Sequence, residues 1–307
     1  MDWMKYRIIY FALSAVVIIA GVFSLFKWGL NLGLDFKGGS VTEFRFQNQI
    51  PEETVKAGLE KDGYKVSSIE AIGEKTYIFK LPPLSENEKE AFENSLKKNL
   101  NSDFEELRFE TVGPSIGPEL IRKTIYAIII SAGAILLWVA YQFKSIKFGS
   151  AAILAMFHDS LVLVGLFSLF GHFWQAEIDF LFVTALLTIL SFSVHDTIVV
   201  YDRIRESQRK FGGNLYSLAN KATTETMVRS LNNSFTIIFM LVALVLLGGS
   251  TLRWFAVALL IGTISGTYSS PFVAVPILVT WDEIVLAIRN KRPTKSNLSL
   301  NPFKNKL

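Results

Sequence analysis

Two short stretches carry groups that can do chemistry in an otherwise apolar setting. "FHDSLVLV" at 157–164 and "VHDTIVVY" at 194–201 each run His-Asp-hydroxyl into an aliphatic tail, 37 residues apart. Asp159 and Asp196 both fall inside long hydrophobic runs. An ionised carboxyl at the centre of a bilayer costs at least about 2.5–3.5 kcal/mol, so such a group takes a proton, finds a cation or lines water. The chemistry on offer is reversible proton binding. "TMVRSLNNSFTIIF" supplies the cation: Arg229, Asn232, Asn233 and Thr236 recur at i, i+3, i+4 and i+7 and share one helix face. A guanidinium near a carboxyl favours its charged form, so an Asp196–Arg229 pair can bind and release a proton as the two part and meet. Imidazole is the side chain whose ordinary charge change falls near physiological pH, and His195 stands beside Asp196. The candidate proton path is therefore Asp196, Arg229, His195 and Asp159. His158 reads equally well as a core histidine.

The elements that must hold these residues are membrane spans. Half of the 307 residues are apolar. Six segments are long and uncharged enough to cross a bilayer, at 8–26, 124–143, 148–171, 178–201, 233–249 and 254–280. The last holds Pro271 and Pro276 and is expected to tilt or kink. At roughly 1.5 Å per residue, Asp159 lies about 16 Å into the third span and Asp196 about 27 Å along the fourth. Gly262 and Gly266, with Thr267, Ser269 and Ser270 after them, give the last span a face that packs closely or slides.

Orientation follows from Lys and Arg. They crowd the loops after the second and fourth spans and the C-terminal tail, while 172–177 has none and 250–253 only Arg253. Positive charge stays inside, so both termini are cytoplasmic and residues 28–122 face outward. The excess of Lys and Arg reads as topology, not as a nucleic-acid footprint. Asp202, Arg203, Arg205 and Glu206 have the spacing of paired charges on a solvated helix end. The run after Lys5 and Arg7 reads as an uncleaved first span. The absence of cysteine excludes disulfides and thiolate chemistry.

The outward segment reads as strand, helix, two strands around Gly73-Glu74, a helix opened by Ser85 and Glu88, and a last strand. This βαββαβ order is that of a ferredoxin-like sandwich. The chain is thus a multi-pass α-helical membrane protein, with six transmembrane helices and a ferredoxin-like α+β extracytoplasmic domain between the first and second. Its parts are 1–27 (cytoplasmic start and first span), 28–122 (outward domain), 123–285 (remaining spans) and 286–307 (basic tail). No nucleophile–base pair, metal-ligand cluster or phosphate-cradling loop is visible, so neither an enzyme nor a cofactor is expected.

"GLDFKGGS", "VGPSIGPELIRK", "SVHDTIVVYDRIRE", "VRSLNNS" and "LIGTISGTYSSPFVA", in that order, resemble the SecF family, the smaller half of the bacterial SecDF export factor. The resemblance covers nearly the whole chain. It implies a resistance-nodulation-division type of membrane protein in the bacterial cytoplasmic membrane. The implied partners are SecD, the SecYEG translocon and the unfolded exported polypeptide, and the implied role is use of the proton gradient in export. Asp196 and Arg229 match the residues implicated there in proton passage. The chain departs from the family where His195 stands in place of the commoner Asn, and where Lys37 and Ser40 replace threonines. A proton-driven small-molecule exporter half is the alternative, but an outward domain this small leaves little room for a substrate pocket. A purely structural clamp leaves the buried charges unexplained.

Overall fold

The computed structural model describes residues 1–291 apart from 63, 65, 114, 115 and 144. The tail cations from Arg292 to Lys306, and Lys144, lie outside the described residues. After a 3-10 turn at Trp3–Tyr6, the long helices are α1 (Arg7–Trp28), α5 (Ile116–Phe143), α6 (Ile146–Trp174), α7 (Phe180–Phe211), α8 (Leu215–Leu247), α9 (Ser250–Ser269) and α10 (Val275–Lys291). α9 and α10 are joined by a π-helical turn, Ser270–Ala274, and form one span. Among the described residues, six helices are therefore long and apolar enough to cross a membrane. Pro271 has no N–H to give the Thr267 carbonyl, and the chain widens to i→i+5 bonding there instead of breaking, with Val275 N–H on the Ser270 carbonyl.

The helix ends reach beyond the hydropathy limits. α7 runs on to Phe211 because Glu206 pairs with Arg203 (2.7 Å) and Lys210 (2.6 Å) at i,i+3 and i,i+4 spacing, and Arg203 reaches across to Glu225 of α8 (2.5 Å). Charge ends a span but does not end a helix.

The spans pack by close approach. A Cβ on Gly21 would sit 2.8 Å from Gly165 Cα, so α1 and α6 touch backbone to backbone. Beside that contact Ser24 and Ser168 share a hydrogen bond of 2.7 Å.

The outward segment folds as α2 (Leu34–Lys37), β1 (Gly39–Phe46), α3 (Glu52–Lys61), β2 (Ser68–Ile72), β3 (Thr76–Leu81), α4 (Glu86–Leu100) and β4 (Phe104–Val112). The sheet order is β2-β3-β1-β4, antiparallel throughout, as the βαββαβ pattern requires. Phe44, Phe46, Phe79, Phe92 and Leu96 fill its core. Glu88 accepts from the Ser85 N–H (2.8 Å), the expected helix start. Gly38 and Gly39 turn the chain into β1 with φ of 73° and 132°, and a Cβ on Gly39 would stand 2.8 Å from the Leu81 carbonyl.

This domain is fastened to the N-terminal ends of two spans. Asp35 accepts from Phe180 N–H, the first residue of α7 (2.8 Å). Arg108 donates to Thr251 at the start of α9 (2.8 Å). Lys80 bonds Glu177 (2.7 Å) and Glu70 (2.9 Å). Burial disfavours the Lys80 charge, yet its bonds to Glu177 and Glu70 outweigh that and hold the ammonium's pKa above its ordinary value. The stabilisation is then complete below the ordinary lysine range and lost only as pH rises through the folded value, on the strongly alkaline side. A double-mutant cycle of Lys80→Met and Glu177→Gln, followed by thermal unfolding, should give a coupling of about 1 kcal/mol. Additive losses would mean that the pair does not fasten the domain.

Candidate functional site

Asp159 lies about 20 Å along α6 from its N-terminal end. The residue is fully buried. Each of its oxygens meets two donors. Oδ1 takes Ser265 Oγ (2.6 Å) and lies 3.0 Å from His158 Nδ1. Oδ2 takes Ser193 Oγ (2.5 Å) and Ser269 Oγ (2.6 Å). The serines come from α7 and α9, so one carboxylate ties three spans together. Ser265 and Ser269 are four apart and therefore share a face of α9. Small residues bring that face in: a Cβ on Gly266 would lie 3.4 Å from Ser193 Cα, and one on Gly262 would overlap Ile189. The small-residue face of the last span is thus a packing face against α7.

Asp196 sits on α7 three residues after Ser193 and is 6% exposed. Its Oδ2 accepts from Ser230 Oγ on α8 (2.5 Å). Among the described residues no ion pair joins Asp196 to Arg229; the hydroxyl one residue further along α8 occupies the carboxylate. Arg229 instead lines an open cavity of about 900 Å³ between the C-terminal parts of α5 and α7 and the N-terminal part of α8. Val199, Asp202, Arg203, Arg205 and Thr226 also border it. Val199 and Thr226 lie one turn nearer that end of the bundle than Asp196 and Ser230, so this vestibule stops one helical turn short of the carboxyl. His195 is exposed on a different face of α7 from Asp196.

The sequence repeat has a structural counterpart. Asp159 finds its serine 34 residues on, at Ser193, and Asp196 finds its own 34 residues on, at Ser230. Each Asp on one helix is held by a serine on the next. The two histidines differ: His158 is buried against Asp159, whereas His195 faces out. The four predicted residues thus divide between two clusters that share α7, with Asp159 on α6 in the first, Asp196 and the nearby Arg229 of α8 in the second, and His195 in neither. The serines at 193, 230, 265 and 269 were not singled out as ligands of a carboxyl. The available signal was the serine at the same offset from each His-Asp pair.

Six spans, an antiparallel α+β domain between the first and second, and carboxyls clasped within the bundle define a polytopic membrane protein. A family profile described as "Protein export membrane protein SecD/SecF, C-terminal" matches residues 91–284, and one described as "SecD/SecF GG Motif" matches 23–50. Protein translocase subunit SecF of Thermobaculum terrenum is 41% identical over 298 residues, covering 92% of this chain and 94% of that one. SecF of Anaerolinea thermophila is 36% identical, with 90% and 92% covered. The crystal structure of SecDF from Thermus thermophilus, titled a translocon-associated membrane protein, superposes with a TM-score of 0.81 at 34% identity. It covers 92% of this chain, which corresponds to 39% of that longer one. The chain belongs to the SecF family of protein translocase subunits.

Proposed function

We propose that this subunit couples the proton gradient to Sec-dependent protein export, together with SecD, at the SecYEG translocon of the bacterial cytoplasmic membrane. The observation that carries the reading is the carboxyl of Asp196, buried within a span and one turn from an open vestibule. A proton taken up there is released through the vestibule beside Arg229. Asp159, deeper and tied to the same helix through Ser193, belongs to the same path.

Both termini are cytoplasmic in this reading, which the Lys and Arg of the vestibule end support. SecD as partner is supported by the fused SecDF chain of Thermus thermophilus, 36% identical over 277 residues, of which this chain covers 36%. Further support comes from polar residues left exposed at membrane depth. Thr184, Thr188, Ser191 and His195 form a stripe along α7, and Arg229, Asn232, Asn233 and Thr236 are exposed on α8. Such groups face protein or water, not lipid. His195 then lies at the subunit boundary.

Work reaches the outside through α7 and α9, whose outer ends carry the Asp35 and Arg108 contacts to the outward domain. One proton crossing 100 mV yields roughly 2.3 kcal/mol, enough to bias such a movement toward the exported polypeptide. Export of a preprotein into inverted membrane vesicles, with the gradient intact or collapsed, tests the proposal. Asp196→Asn should retain the gradient-independent part of export and lose the remainder. Full gradient-dependent export by that variant refutes the role of Asp196.

A further inference from the structure

The Asp159 cluster leaves one polar atom without a partner. Nδ1 of His158 is engaged by Asp159, but Nε2 of the same ring is buried and makes no hydrogen bond. Buried polar groups are nearly always satisfied, so an orphan at a charged cluster calls for a physical reason. Asp159 is in the opposite condition, since two donors already meet each of its oxygens. A carboxylate oxygen offers about two lone pairs, so a proton reaches Asp159 only by displacing a donor. The imidazole has a lone pair in hand: with Nδ1–H given to the carboxylate, Nε2 is the basic nitrogen.

We propose that His158, through Nε2, is the group that carries the proton at this level of the bundle, with Asp159 as its fixed counter-charge. This deepens the proton-coupled reading above and rests on it. Ser193, Ser265 and Ser269 are positioning residues that keep the carboxylate ionised and in place in both states. On loading, an N–H bond forms at Nε2 from its lone pair, an O–H bond of a hydronium breaks, and one water is left. On release the same proton returns to water. The cluster passes from −1 to neutral without losing a hydrogen bond. His158 borders an open cavity of about 320 Å³ whose other walls are mostly apolar, with Leu13, Val17, Val162 and Ile264 among them.

The groups facing the dyad are few. α9 brings Tyr268, whose ring centroid is 6.4 Å from that of His158. α1 brings Ser14 and the Tyr10 carbonyl, both on the Tyr268 hydroxyl. α7 brings Asp196, a turn beyond Ser193 and engaged by Ser230, while His195 faces out. α5 has no Lys, Arg, Asp or Glu between 124 and 143. The acids of α10, Asp282 and Glu283, pair with Lys147 and Arg7 at the cytoplasmic end. No ammonium or guanidinium among the described residues bonds Asp159, so the imidazolium is its natural counter-ion.

The test uses the complex with SecD, with this chain alone labelled by ¹⁵N-histidine. The chain has three histidines, and the His158 signals are those missing from His158→Gln. Nε2 should take up a proton as the pH is lowered in wild type. In Asp159→Asn, at the pH where wild type is protonated, it should stay unprotonated. His158→Gln, which keeps a donor toward Asp159 but binds no proton, should lose at least about tenfold of gradient-dependent export while assembling normally. His158→Arg, permanently charged, should lose as much. An Nε2 that stays neutral throughout, or wild-type gradient-dependent export by His158→Gln, overturns the proposal. If Asp196→Asn fails in export and His158→Gln does not, only the role of His158 falls. If Asp196→Asn exports normally, the coupling reading falls, and the NMR titration still decides whether His158 binds a proton.

Discussion

Asp159→Ala should leave the bundle about 3–5 kcal/mol less stable than wild type, the range seen when one side of a buried charged network is removed. The change deletes the acceptor of Ser193, Ser265 and Ser269 at once and strands the His158 Nδ1. Each buried hydroxyl left without a partner costs about 1–3 kcal/mol before relaxation. The loss falls on the contacts of α6 with α7 and α9, so it should appear as lowered thermal unfolding of the whole complex in detergent. Asp159→Asn keeps the volume and one acceptor oxygen, and should cost less than Asp159→Ala. Ser265→Ala removes a single bond and should cost about 1 kcal/mol. If Asp159→Ala unfolds at the wild-type temperature, the carboxylate is not what ties the three helices.

Arg229→Gln should slow gradient-driven export about tenfold, with the fold unchanged. Arg229 precedes Ser230, the residue that holds Asp196, and borders the vestibule. A guanidinium at the water's edge stabilises the carboxylate left behind when the proton departs. It is exposed in the described chain, so its removal opens no cavity and strands no buried partner. Arg229→Lys keeps the charge and should keep most of the rate. Export rates in vesicles at saturating gradient separate the two. Equal rates for Arg229→Gln and wild type would reduce Arg229 to an anchor at the membrane surface.

The parts of this architecture that depend on local pattern were legible before the structure. The alternation of Thr42, Phe44 and Phe46 with Glu43 and Arg45 places β1, and the apolar runs place six spans, because burial acts residue by residue along the chain. Hydropathy limits alone understate helix length, but the charge spacing did not: α7 continues through Arg203 and Glu206, paired at i,i+3 as that spacing indicated, because charged side chains stabilise a helix outside the bilayer as readily as apolar ones do within it. The proline-bearing last span was expected to tilt or kink, and the change at Pro271 is a π turn that sequence periodicity does not encode. The site was half legible. An Asp in an apolar run announces itself by its cost. A serine carries little cost in a helix, and its meaning depends on helix rotation and on which neighbour it meets. Ser193, Ser230, Ser265 and Ser269 therefore came to light only once α6, α7, α8 and α9 were packed.

Proton flux through the complex of this chain with SecD in sealed proteoliposomes, driven by an imposed gradient and followed by an internal pH dye, is the most direct measurement. The account predicts flux in wild type, a flux at the empty-liposome level in Asp196→Asn, and normal folding of that variant by thermal unfolding. Wild-type flux through Asp196→Asn would contradict it, because the carboxyl beside the vestibule would then not be where the proton stops.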